Sequence, residues 1–144
     1  MGRLLLAAAP AVLFGCAAAF APARPAWPSL PDGHFMHVGD FLQVTGTGRA
    51  AKPSRNETQE RSEARDAALL DAWTRLKSYV DALPLEGGGS VYGAARNDAA
   101  LAKGMERLIY AAQIVTTRYD GPVAAVVVRV DKVALNRLLG TDFK

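Results

Sequence analysis

VTGTGRAAKPSRNE, residues Val44 to Glu57, joins a short apolar run to a long helical pattern. The fold turns on how this stretch is read. Gly46, Gly48 and Ala51 fit G-x-G-x-x-A, the turn that cradles a pyrophosphate in dinucleotide-binding folds. In those folds the helix starts inside the glycine turn, so that its free N–H groups point at the phosphates. Here Pro53 and Ser54 place the helix start five or six residues after Gly48. A parallel sheet built from several βαβ units is also missing, because the only strands that follow form a hairpin. The stretch therefore reads as a structural turn that closes a strand, its glycines bending or packing tightly beneath the helix. No cofactor is expected.

Outward from that point, Phe41, Leu42, Val44 and Thr45 make a short strand ended by Gly46-Thr47-Gly48. Ser54 and Glu57 have capping-box spacing, and the helix they open runs to about Leu83. Ala64, Ala68, Ala72 and Leu76 recur every four residues, flanked by Leu69, Trp73 and Val80. Small residues at that spacing let a helix approach a sheet closely. Arg61, Arg65, Asp71 and Lys77 read as its solvated face, and Trp73 as core. Pro84 and Gly87-Gly88-Gly89-Ser90 open a flexible loop. Asp98 caps a second helix through Leu101 and Met105 to about Leu108.

The run Ala112–Tyr119, then Asp120-Gly121, then Val123–Val130 predicts a β-hairpin, with Pro122 suiting a strand end or edge. Val126-Val127-Val128 reads as an assembly strand on an unpaired edge. Asp131 caps a last helix carrying Val133, Leu135, Leu138 and Leu139, and Gly140 stops it. The predicted class is α+β: a small, mainly antiparallel three-stranded sheet packed by helices, in the order β-α-α-β-β-α.

The N-terminus reads as a secretory signal, residues 1–16: Arg3 supplies the positive region and LLLAAAPAVLFG the apolar core. Cys16, the only cysteine, follows Leu13-Phe14-Gly15 in the manner of a bacterial lipobox, which makes it the candidate lipid-attachment residue. The alternative is cleavage downstream at Ala19, Ala21 or Ala23, each of which completes an A-x-A triplet. A single cysteine leaves no internal disulfide, so stability must come from packing. Residues 17–37, with Pro22, Pro25, Pro28 and Pro31, read as a proline-rich tether, and residues 38–144 as the folded domain. Trp27, in the tether, is a candidate for docking on a partner or a membrane interface.

The net charge of +3 is small and dispersed, which excludes a nucleic-acid surface built on a basic stripe. His34 and His37, with Asp32 or Asp40, have spacing that a metal would accept, but no cysteine or further histidine completes a site, and no metal is expected. Ser90 has no nucleophile-elbow context, and no catalytic constellation is expected.

With the glycines, the alanine-periodic helix and the hairpin in place, the chain resembles the Lpp-twenty lipoprotein family. These are small envelope lipoproteins of Gram-negative bacteria whose fold also occurs in periplasmic proteins of flagellar rings. The matching residues are Val44 to Gly48; Ala64, Ala68, Ala72 and Leu76; Gln113-Ile114-Val115 leading to Tyr119-Asp120-Gly121; and Val126 to Val130. The match spans roughly Phe41 to Leu139. Phe14 in the lipobox and the glycine-rich loop after Pro84 depart from the pattern. The resemblance implies a non-enzymatic module without cofactor, anchored through Cys16 to the outer membrane facing the periplasm, or periplasmic if cut downstream. It also implies self-association or envelope protein partners, in some members at the outer-membrane end of the flagellum. The competing expectation is a periplasmic module that binds a lipid or an envelope glycan.

Overall fold

The structure, a computed structural model, describes residues 23–52 and 56–144. The proposed signal region, Cys16, Pro53 and Ser54 lie outside the described residues. Strand β1 (Phe35–Val38) turns into β2 (Phe41–Arg49), and the long helix α1 (Glu57–Ala82) follows. A short helix α2 (Val91–Ala95) precedes α3 (Ala99–Tyr110). The hairpin β3 (Gln113–Asp120) and β4 (Val123–Asp131) leads into α4 (Lys132–Leu139). The four strands form one antiparallel sheet in the order β1-β2-β4-β3.

The α+β class holds, but the sheet has four strands, and the order is β-β-α-α-α-β-β-α. The extra strand, β1, straddles the boundary at residue 38 between the stretch read as tether and the domain. Gly39, at φ 53°, makes its tight return to β2 possible. Only Phe35 of β1 is buried, so it offers little alternation to read.

The larger correction concerns Gly46-Thr47-Gly48. These residues do not turn. β2 runs straight through them to Arg49, with Gly46 opposite Val126 and Gly48 opposite Ala124 of β4. A Cβ on Gly46 would overlap backbone atoms of Ala68 and Ala72 and stand 2.7 Å from the Ala72 Cβ. One on Gly48 would overlap the Ala68 nitrogen and stand 2.6 Å from the Ala64 carbonyl oxygen. The glycines and the alanine face of α1 are two halves of one contact, and both are small so that helix and sheet can touch. The tight packing expected of these glycines is what the structure contains; the bend is not. Ala64, Ala68, Ala72 and Leu76 are buried against Leu42, Val44, Val126 and Val128.

The α1 cap also moves. Asn56 fills it, its side chain accepting from the N–H groups of Thr58 and Gln59 at 3.0 and 3.3 Å. Asp98 and Asp131 cap α3 and α4 as their positions predict, and Gly140 ends α4 in the left-handed region. The loop after Pro84 contains α2, which Ser90 caps by accepting from the Gly93 N–H at 3.3 Å. β4, with its run Val126-Val127-Val128, is a central strand between β2 and β3. It was expected at an unpaired edge. Its even-numbered residues are buried under α1, and its odd-numbered ones are partly buried on the other face. As a strand paired on both edges it carries apolar residues on both faces, with Val123, Ala125 and Val127 on the one away from α1.

Candidate functional site

Three surface features stand out on this frame. The first is the edge strand β3, paired with β4 on one side only. Ile114, Val115 and Tyr119 are exposed on it. Its register shifts between Ile114 and Thr116, leaving Val115 as an irregularity, and such a bulge, like Arg118 and Asp120 on the same strand, moderates indiscriminate pairing.

The second is a polar cluster on the opposite side. β1 covers only the first part of β2, so the Thr47 N–H has no strand partner there and donates to the Asp71 carboxylate of α1 at 2.9 Å. Arg75 donates to the same carboxylate at 2.9 Å and reaches Asp32 at 3.5 Å. Burial pushes the Asp71 carboxyl up, but the bonds from Thr47 and Arg75, with the nearby Arg75 and His34 charges, outweigh it and hold the pKa below the ordinary carboxylate value. The arrangement ties helix to sheet edge. It presents no nucleophile with a base beside it.

The third feature is a groove of about 610 Å³ between α1 and the α2–α3 pair, a size usual for small-molecule sites. Leu70, Trp73, Met105, Ile109 and Tyr110 line one end. Trp73 and Tyr110 meet edge to face with ring centroids 5.0 Å apart, which sets the end of α3 beside the middle of α1. Toward the end of α1 the lining becomes polar: Lys77, Asp81, Arg96 and Lys103, with Tyr92. Lys77 pairs with Asp81, and the Arg96 guanidinium lies 5.9 Å from the Tyr92 ring centroid. Lys103 has no ion pair among the described residues. Leu70, Tyr92 and Tyr110 are each more than half exposed, at 61, 54 and 56%. Large apolar side chains gathered in one concave place mark an interaction surface. Trp73, expected in the core, is partly buried against it and also forms a wall of this groove, its indole nitrogen buried without a hydrogen-bond partner.

The histidines are not brought together. The His34 N–H donates to Asp32 at 2.8 Å, while the His37 ring faces Trp27, with centroids 6.2 Å apart. Partial burial, then Lys132, lowers the His37 pKa. No cluster of three metal-ligating side chains exists among the described residues. Trp27 packs on the folded domain: its ring lies on Phe143 with centroids 5.1 Å apart, and its backbone N–H donates to the Lys144 carbonyl at 3.1 Å. Sequence reading missed the groove because its residues come from three helices; the i, i+3, i+7 stripe of Leu70, Trp73 and Lys77 was the available signal.

No helix among the described residues is long and apolar enough to cross a membrane. No family model, curated protein or solved structure compared with the chain matches it.

Proposed function

We propose that this protein is a non-enzymatic module of the bacterial cell envelope that works by association through its surfaces. The motif resemblance supports the setting: a lipid on Cys16 holds the chain at the outer membrane facing the periplasm, or cleavage after Ala19, Ala21 or Ala23 releases it into the periplasm. The observation that carries the associative reading is the free β3 edge, eight residues long with Ile114, Val115 and Tyr119 exposed. A partner strand, from a second copy or an envelope protein, pairs with such an edge through main-chain hydrogen bonds. Residues 27–32 lie beside β1 and α1, at the side of the sheet away from β3.

Light scattering of the full chain tests association, with Ile114→Lys and Val115→Lys as edge variants. A concentration-dependent oligomer that the lysines dissolve supports the reading, and a strict monomer in both detergent and buffer sinks it. Labelled palmitate incorporated by wild type and not by Cys16→Ser tests the anchor. Motility of a deletion strain decides whether the flagellar setting implied by the resemblance applies. The groove between α1 and α3 favours a second reading, a module that binds a lipid or an envelope glycan.

A further inference from the structure

We infer that the α1–α3 groove takes a single-chain anionic amphiphile, an acyl chain ending in a carboxylate or phosphate. This rests on the second, ligand-binding reading and narrows it. The groove is graded along its length. From Leu70 to Asp81, eleven helical steps along α1, it extends about 16 Å. At one end Leu70, Trp73, Ile109 and Tyr110 offer mainly apolar and aromatic surface, which suits a hydrocarbon tail. At the other, three cations (Lys77, Arg96, Lys103) stand against Asp81, with Glu106 between the two ends.

The cations differ in what already occupies them. Lys77 is held by Asp81, and Arg96 lies over Tyr92. Lys103 is left to meet a new anion, and Arg96 keeps donors free on a ring-stacked guanidinium. A neutral glycan would leave the aliphatic end without a partner, and a flat bilayer cannot fill a concave trough. An anion-headed chain satisfies both ends, with its tail along Trp73 and its head beside Lys103. Ala99 and Ala102 line the trough on α3, and their small side chains keep it open.

The test uses the full chain carrying Cys16→Ser and Trp27→Phe, purified without detergent, which leaves Trp73 as its one tryptophan. Laurate below its micelle concentration, dodecyl maltoside and phosphatidylglycerol vesicles are titrated while Trp73 emission is followed. Saturable one-to-one binding of laurate, tighter than dodecyl maltoside, is the expected result. Lys103→Glu should weaken laurate roughly fivefold to tenfold and leave the maltoside unchanged. Ala102→Phe, at an exposed position and with its fold checked by circular dichroism, should weaken both.

Equal affinity for the two head groups, unmoved by Lys103→Glu, overturns the anionic inference and leaves the ligand-binding reading standing. Absence of saturable binding by either amphiphile overturns both. A response to vesicles alone, insensitive to Ala102→Phe, makes the patch a bilayer contact and also overturns the inference.

Discussion

Gly46→Ala probes the contact on which the fold is built. The added methyl meets backbone atoms of Ala68 and Ala72, not the far end of a flexible side chain, and sits 2.7 Å from the Ala72 Cβ. Carbon atoms rest at about 3.5–4.0 Å, so α1 must lift from β2 by about 1 Å over its middle turns. Overpacking of this kind costs about 1–3 kcal/mol, and with backbone on both sides of the contact we expect the upper end, about 3 kcal/mol. That is a large share of the roughly 5–15 kcal/mol by which domains are stable. Thermal unfolding followed at 222 nm should shift down by roughly 10–20 °C, and the urea midpoint should fall at unchanged slope. Gly87→Ala is the control, since no heavy atom lies within 4 Å of its built Cβ and its φ is not in the left-handed region. It should be neutral or slightly stabilising. If Gly46→Ala unfolds within about 0.5 kcal/mol of wild type, a range typical of uninvolved surface positions, the glycines are not there to admit the helix.

Asp71→Ala strips the acceptor from the Thr47 N–H and Arg75 and should cost about 1 kcal/mol near neutral pH, the partly exposed pair being screened. Its folded pKa lies below the ordinary value, so this stability is present above the carboxylate range and lost as pH falls through the folded pKa. Urea midpoints from pH 7 to 3 should therefore drop less steeply in Asp71→Ala, and parallel curves would refute the assignment. Trp27→Ala should cost about 2 kcal/mol of stability through lost packing on Phe143 and His37, read from the remaining Trp73; an unchanged urea midpoint would return Trp27 to the role of an outward-facing anchor. Asp98→Ala and Asp131→Ala should each cost about 1 kcal/mol in thermal melts. They cap different helices, so the double variant should show the sum, and a neutral Asp131→Ala would count against the cap.

Local chemistry made the helices legible. The four-residue recurrence of Ala64, Ala68, Ala72 and Leu76 identified the buried face of α1, and Asp98, Asp131 and Gly140 marked helix ends by side-chain or backbone preference alone. Where reading failed, the cause lay far along the chain. Gly46 and Gly48 look like a strand end because glycine weakens strands locally, but their small size answers to Ala64, Ala68 and Ala72, on a helix that comes later in the sequence. β1 escaped notice because only Phe35 is buried and the neighbours that complete it, Leu42 and Phe41, belong to the next strand. The placement of β4 was legible and misread: Val123 to Val130 is apolar on both faces, which belongs to a central strand. The groove shows locally only as the α1 stripe of Leu70, Trp73 and Lys77, since Trp73 and Tyr110 meet only after α3 folds back along α1.

The two margins of the sheet are unequal. β1 is four residues long, and beyond its reach the Asp71 side chain occupies the Thr47 amide. β1 and β3 are both outer strands, but β1 offers four residues against eight on β3. If copies pair edge to edge as proposed, the longer margin takes the partner and is used up in doing so, which favours a closed two-fold pair over an open ribbon.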